Sequence, residues 1–302
     1  MTNQLKGDSF SNRYRITGTL TTVSPLHIGT GDERQMEFSS EDEKKKIMEK
    51  VGKIPNISTI ITDHRGKPLI PGSTLRGVLR NWLLTVMEGI GTQWAVDRDY
   101  ADLLSKDQTE QIQKAQNDFS YLELLFGTPL NAGKVEVWDA TCCTGDLEAM
   151  NDRLLGWDKK RLTYVDTSVA IDPARGTAKN KLLYKADIVP PGVTFVLNLV
   201  AQNLSDEELG LVLLALQGFN SQIYPIQVGA RGGRGYGRME FKIGTFYRLE
   251  REGVKKWLKE TLQADDTVSA PAGYFGLPKL SEAEQELKIK AVKDKLARVL
   301  GG

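Results

Sequence analysis

The chain has 302 residues, 40% of them apolar, which is enough to bury a large core and excludes disorder throughout. Its formal net charge of +1 gives no general attraction for a polyanion, so nucleic-acid binding would need local cationic clusters. Two histidines exclude a histidine-rich metal site, and the adjacent Cys142 and Cys143 suit neither a disulfide nor a zinc site, which indicates packing residues. No window approaches the roughly 20 apolar residues of a membrane helix, so we expect a cytoplasmic protein without membrane contact.

The first predicted element is a strand over Arg13–Val23, because inward-facing apolar residues alternate there with arginine and threonine. Residues 33–53 follow, dense in Glu, Asp and Lys with few large apolar side chains. This composition predicts an exposed excursion that is either helical through 41–50 or mobile.

A helix is predicted after the Ile70-Pro-Gly-Ser73 turn, with Ser73 as its N-cap. Its apolar stripe consists of Leu75, Val78, Leu79, Trp82, Leu83 and Val86. Arg76 and Arg80 are four residues apart, so they stack near free backbone N–H groups and the positive end of the helix dipole. This pattern favours a bound phosphate, and the alternative is two arginines whose stems cover the edge of a core helix.

The remaining elements complete an alternating pattern. It comprises an irregular helical insertion over 89–130, a strand within 134–139, a hairpin-like excursion over 141–191, a strand over 193–201, and a helix opened by the capping box Ser205–Glu208. With the strand that follows residue 238, the order predicts an α+β, ferredoxin-like (RRM-like) palm with an antiparallel sheet and large insertions. A C-terminal helical extension, residues 248–302, ends in a helix that could dock through Leu287, Val292, Leu296 and Val299.

The segment Gly229–Arg238 holds five glycines, three arginines and a tyrosine without a carboxylate. Glycine lets a backbone approach a ligand closely, arginine matches phosphate oxygens, and a tyrosine ring offers a face for a base. The pattern fits neither a Walker loop nor a dinucleotide fingerprint, and strand periodicity follows it. We therefore predict a polyanion-binding loop, with a tight connection as the alternative; its contact residues are Arg231, Gly232, Gly233, Arg234, Tyr236 and Arg238.

Four motifs in this order resemble the RAMP proteins of CRISPR-Cas effectors, particularly backbone subunits of type III complexes. They are Ser-Pro-Leu-His-Ile-Gly-Thr-Gly at 24–31, Pro-Leu-Ile-Pro-Gly-Ser-Thr-Leu-Arg-Gly at 68–77, the segment from Phe126-Gly127 to Trp138-Asp139-Ala140, and the loop at 229–238. Between them, residues 169–175 and 182–192 are similar to the family's thumb hairpin. The similarity spans residues 12–247, with insertions at about 31–57, 89–130 and 141–191.

The resemblance implies a subunit that grips CRISPR RNA, meets target RNA and contacts other subunits of the effector, without a cofactor for guide binding. His27 is expected either to contact RNA or to pack beneath the loop. The RNA-binding set then adds Ser73, Arg76 and Arg80 to the loop residues. The thumb would push into the guide–target duplex through Ile171, Arg175, Lys179, Lys181 and Lys185.

Catalysis is left open by this resemblance. Cleaving subunits of the family use an aspartate shortly before the strand that leads into Ile-Pro-Gly-Ser, and the matching stretch, Pro55–Ile60, has no carboxylate. The substitutes are Asp32, Glu33 or a residue of the insertion such as Glu37, which would support a divalent-metal-dependent endoribonuclease using Mg²⁺ through ligands not yet identified. Three functions remain: a noncatalytic guide-binding subunit, a target-cleaving subunit, and a stand-alone CRISPR RNA-processing endonuclease, against which the scarcity of histidine argues.

Overall fold

The computed structural model describes residues 5–35, 41–51, 54, 56–105, 109–110, 112–113, 118–144, 156–172, 177–262 and 277–301. It is a mixed α+β structure with one antiparallel sheet and a second sheet that also contains one parallel pair. The strands are β1 (Asn12–Thr22), β2 (Gly29–Gln35), β3 (Asn56–Ile60), β4 (Leu69–Ile70), β5 (Val135–Val137), β6 (Ala140–Cys142), β7 (Tyr164–Asp172), β8 (Thr177–Ile188), β9 (Thr194–Gln202) and β10 (Met239–Glu250). The α-helices are α1 (Glu41–Val51), α2 (Gly72–Met87), α3 (Tyr100–Ser105), α4 (Tyr121–Phe126), α5 (Asp206–Gln217), α6 (Val254–Leu262) and α7 (Glu282–Leu300).

The main sheet has the strand order β10-β1-β9-β6-β4, and β5 also pairs with β9. All of these pairs are antiparallel. Along β1, buried side chains alternate with half-buried ones, so Tyr14, Ile16 and Leu20 enter the core as predicted. In β9 and in the first part of β10, buried side chains also alternate with more exposed ones, which confirms the predicted strands at both positions.

Helices α2 and α5 share the core with one face of the main sheet. The capping box at the start of α5 is confirmed: the amide of Glu208 donates to the Ser205 hydroxyl, and the Glu208 carboxylate accepts from the Ser205 amide. Glu208 also pairs with Lys134, at 2.6 Å, and both side chains are only 2% exposed. Burial raises the pKa of the Glu208 carboxyl, while the Lys134 ammonium opposes that rise.

The C-terminal helix α7 packs on α5. Val292 and Leu296 are buried there, and a Cβ on Gly210 would lie 3.2 Å from Leu296 and 3.3 Å from Val292. Close approach of the two helices therefore depends on the glycine. Leu287 and Val299, which the sequence analysis also placed in this contact, are exposed. Leu287 lies on the other side of the helix, whereas Val299 lies on the same side as Val292 and Leu296, in the last turn.

A second sheet has the order β2-β3-β8-β7. Its two outer pairs are antiparallel, and β3 runs parallel to β8, with Ile57 opposite Lys185. The insertion after β1 and the predicted thumb hairpin, which we had treated as separate excursions, thus form one sheet. Buried Ile57 and Val165 provide its small apolar cluster.

Three details correct the sequence analysis. The N-cap of α2 is Pro71, and Ser73 makes no capping hydrogen bond because it already lies inside the first helical turn. Val86 is exposed, and Met87 takes the buried position at the end of the helix. Cys143 is exposed, so only Cys142 packs against the core.

In the part of the chain that the structure describes, no helix has the length and apolar character needed to cross a membrane.

Candidate nucleic-acid interface

The glycine-rich segment 229–238 folds against the Ser-Pro-Leu-His motif that follows β1. The amide of Ala230 donates to the His27 carbonyl at 2.9 Å, and the amide of Gly237 donates to the Pro25 carbonyl at 2.8 Å. Gly229 and Gly237 have φ of +80° and +79°, and added Cβ atoms would lie 2.3 Å and 2.0 Å from backbone carbonyl oxygens. Two of the family-like motifs are therefore halves of one backbone structure, which only glycine can complete at these two positions.

The loop is joined to the hairpin strand β7 through its side chains. Arg231 pairs with the Asp166 carboxylate at 3.1 Å, and the Tyr236 hydroxyl donates to the same oxygen at 3.1 Å. Arg234 donates to the Ser168 hydroxyl at 2.8 Å. Burial, followed by the nearby Asp166 charge, raises the pKa of Tyr236. The loop thus carries three arginines, of which Arg231 is already held by a carboxylate.

Asp166 is a functional candidate that the sequence analysis missed. It lies 65 residues before Arg231, and its only sequence signal is the alternation of Tyr164, Asp166 and Ser168 along one face of a strand. That alternation identifies a polar strand face but does not identify the loop opposite it.

The last arginine of the loop, Arg238, is anchored by its backbone and has an exposed side chain. Its amide donates to the Ser24 hydroxyl at 2.9 Å, and its carbonyl accepts from Val23 at 2.9 Å. Between the anchored ends, Gly232 and Gly233 form part of a single 3₁₀ turn, Gly232–Arg234, whose residues are not buried. The centre of the loop is therefore accessible.

His27 lies beneath the loop and is 5% exposed. Its Nδ1 is 2.8 Å from the carbonyl oxygen of Asp187, whose own carboxylate is fully buried. Arg34 forms two hydrogen bonds with that carboxylate, and Arg161 approaches it at 3.6 Å. This cluster fixes the position of the His27 ring under the loop.

The arginines of α2 occupy a different setting. Arg76 and Ser73 are exposed, and Arg80 pairs with Asp97 at 3.4 Å. The amide of Gly72 donates to the Asp139 carboxylate at 2.7 Å, so the helix start already has an anion from the protein itself. The first-turn site that we expected to accept phosphate is thus partly used by an internal cap.

The opposite flank of α2 faces the segment that precedes the glycine loop. Gly77 and Asn81 line a cleft of about 290 Å³ with residues 224–227, which lead directly into the loop. Arg76 and Arg80 leave the helix from its other flank, where Arg80 reaches Asp97. The structure therefore forms two cationic groups, and their contact with a single RNA strand stays a prediction.

The predicted thumb corresponds to the hairpin β7–β8. Ile171 lies on β7, and Lys179, Lys181 and Lys185 lie on β8, with Lys185 opposite Thr167 in the register. Arg175 lies outside the described residues. The hairpin itself is confirmed, whereas its action on RNA stays a prediction.

Asp32 is exposed on β2, and its backbone is fixed by two threonines. Its amide donates to the Thr30 hydroxyl at 3.0 Å, and its carbonyl accepts from Thr59 at 3.2 Å. The neighbouring Glu33 accepts from the Asn56 amide group at 2.7 Å. No group of three or more His, Cys, Asp or Glu side chains suited to a metal ion occurs within the described ranges, and Glu37 lies outside them.

Comparison with protein families gives one result. The model described as the RAMP superfamily matches residues 19–240, from the last four residues of β1 to the start of β10. The match includes the loop at 229–238, the motif around His27, helix α2 and the hairpin. No curated protein sequence gives a significant match to the chain.

Proposed function

Because the chain belongs to the RAMP superfamily, we propose that it is a CRISPR RNA-binding backbone subunit of a type III effector complex. Family membership implies a CRISPR-associated RNA-binding role, and the place in a type III backbone is our addition. The antiparallel order β10-β1-β9-β5/β6, with α2 and α5 on one face, supports a ferredoxin-like palm of the kind that RNA-recognition modules use.

The geometry of the glycine loop is the observation that carries this proposal. Gly229 and Gly237 lock its two ends against the segment after β1, while the centre stays accessible and contains no carboxylate. Arg238 is exposed, and Arg234 contacts a neutral hydroxyl, so both guanidinium groups retain their charge for a phosphate. An RNA strand bound at this loop would also run beside the hairpin β7–β8.

Such a loop recognises the sugar-phosphate backbone and not the bases. Phosphate contacts position a nucleic acid without reading its sequence, which suits a subunit that must accept any guide. Base pairing between guide and target RNA then supplies the specificity. The hairpin β7–β8 would act as the thumb between segments of that duplex, and neighbouring subunits would repeat the grip along the guide.

The test replaces Arg231, Arg234 and Arg238 by alanine and measures guide binding for unrelated RNA sequences at several salt concentrations. We expect weaker binding for every sequence and a flatter salt dependence, by about 0.7 in the logarithmic slope for each lost phosphate contact to a single strand. The control replaces the exposed lysines 255, 256 and 259, which removes the same charge from α6. Equal binding by the loop variant and the control would refute the role of the loop.

A target-cleaving subunit is the second candidate, because Asp32 and Glu33 lie on β2, which pairs with β3. Strand β3 contains the stretch where related cleaving subunits carry their aspartate. Mg²⁺ at such sites is commonly bound by one or two carboxylates, with water and substrate phosphate as its other ligands. Asp32 would be the carboxylate ligand here. Bound Mg²⁺ would stabilise charge that develops on the phosphate during cleavage.

Magnesium-dependent cleavage of target RNA by the assembled complex, compared with Asp32→Ala and Glu33→Ala complexes, tests this candidate. Loss of one cut among several in the Asp32 variant alone would support cleavage through Asp32. An unchanged pattern with intact assembly would remove Asp32 and favour the noncatalytic role. Processing of precursor RNA by the isolated chain would support the third function, which buried His27 makes the least favourable of the three.

A further inference from the structure

The face of the main sheet opposite α2 and α5, which we call the open face, carries a cationic and aromatic cluster. Arg15 on β1 lies between two rings, with its guanidinium carbon 5.3 Å from the centre of Trp138 and 5.6 Å from the centre of Tyr247. Its Nη2 donates to the Asn198 side chain at 2.8 Å. Trp138 is 47% exposed, so the indole offers a ring face to solvent beside a fixed positive charge.

Among the described residues, no carboxylate forms an ion pair with Arg13 or Arg15. Within the described ranges, the side-chain hydrogen bonds of Arg15 go to Asn198, and Arg13, two residues earlier, donates to Gln202 at 2.8 Å. By contrast, the nearby Glu136 carboxylate pairs with Lys6 at 2.6 Å. The open face therefore keeps two guanidinium charges, which are complementary to an anionic strand.

A second surface with aromatic side chains lies next to Arg13 on the main sheet. Arg13 lines a cleft of about 310 Å³ together with Phe10, Leu249, Val254, Trp257 and Leu277. Because alternate residues of a strand share one face, Arg13 and Arg15 connect this cleft to the Trp138 ring. Arginine charges interleaved with aromatic rings are the features that hold unpaired bases and phosphates.

We propose that the open face binds single-stranded RNA, at a site separate from the glycine loop. Arg15 lies roughly 25 Å along β1 from Val23, where the loop is anchored, so one nucleotide cannot occupy both. A base would stack on the exposed Trp138 ring, and phosphates would meet Arg13 and Arg15. The RNA could be a further part of the guide or an unpaired part of the target, because both present the same chemistry.

The experiment uses the full chain in which the three loop arginines are already alanine, with a fluorescein-labelled oligouridylate of about 12 nucleotides as the probe. In this background we expect Trp138→Ala to weaken binding at least about fivefold, from the loss of one stacked base. Arg15→Ala should also flatten the salt dependence by about 0.7 in slope. The control is Tyr224→Ala, which removes another ring that is 47% exposed but lies outside the open face.

A second measurement does not depend on the folding of any variant. The unaltered chain is irradiated with RNA containing 4-thiouridine, and mass spectrometry should find nucleotide adducts on Trp138 or Tyr247. Competition by unlabelled guide or target strands then distinguishes the two sources of RNA.

Two outcomes would overturn the proposal. One is unchanged probe binding in the Trp138 variant together with adducts confined to the glycine loop. The other is a loss of self-association on Trp138→Ala in sedimentation, with RNA binding intact, which would make the open face a protein interface. Neither outcome bears on the glycine loop, whose role is measured separately by the loop variant itself.

Discussion

Asp166 pairs with Arg231 and, under the proposed function, would limit how much of the charge of Arg231 is available to RNA. The carboxylate and the guanidinium lie 3.1 Å apart, with side chains 26% and 17% exposed, so a phosphate that binds Arg231 must compete with Asp166. A partly exposed pair of this kind contributes about 1 kcal/mol. Asp166→Asn removes the competing charge and keeps a side-chain oxygen that can accept from the Tyr236 hydroxyl.

We therefore expect Asp166→Asn to bind guide RNA more tightly, by about fivefold, which is the factor equivalent to about 1 kcal/mol. The magnitude of the salt slope should increase by about 0.7, since one more arginine neutralises a phosphate. Fluorescence anisotropy at several salt concentrations measures both quantities. Ser168→Ala is the control, because it removes a neutral partner of the loop and leaves the charge unchanged.

Weaker RNA binding by Asp166→Asn would contradict competition between the carboxylate and phosphate. In that case the carboxylate would serve chiefly to orient Arg231 and Tyr236, and its loss would disorder the site. Combining Asp166→Asn with Arg231→Ala separates the two explanations. Competition requires that the gain from the asparagine disappear when the arginine is absent, because double-variant coupling is confined to groups that interact.

Three further predictions concern the framework of the site. Lys134→Met should destabilise the fold by about 3–5 kcal/mol, because it leaves the buried Glu208 carboxylate without its positively charged partner. The double variant Lys134→Met/Glu208→Gln should recover much of that loss. Chemical denaturation measures the stability of both variants, and strictly additive effects would contradict the pairing. Gly237→Ala should lower stability and RNA binding together, since φ is +79° and the new Cβ would overlap a carbonyl oxygen; an unaltered melting temperature would exclude this strain. Asp139→Ala should cost about 1 kcal/mol through loss of the cap on α2, with Asp139→Asn close to the parent.

Local patterns made much of the fold predictable. The alternation in Asn12–Thr22 and the capping box at Ser205 each act over a few residues, and both produced the expected elements. A hairpin-like excursion was also expected within residues 141–191, where β7 and β8 pair antiparallel. The cap of α2 was not, because the carboxylate that supplies it, Asp139, lies 67 residues further along the chain.

In the candidate site, too, local features were predictable from the sequence and contacts between distant residues were not. Sequence spacing identified the glycine loop, but the partners of its arginines depend on which strand lies opposite. The joining of the excursion after β1 to the hairpin β7–β8 also had no local signal, since the parallel contact at Ile57 and Lys185 unites segments distant in the chain.

The sequence alone determined the positions of β1, α2, β5, β9, α5 and β10, the glycine-rich composition of segment 229–238 and its lack of carboxylates, since these are properties of neighbouring residues. Only the tertiary structure decided that Asp166 holds Arg231, that Asp139 caps α2, and that Arg15 lies between two rings on the open face. The physical reason is that a charge or a ring acts over a few ångströms of space, and folding sets those distances between residues far apart in the chain.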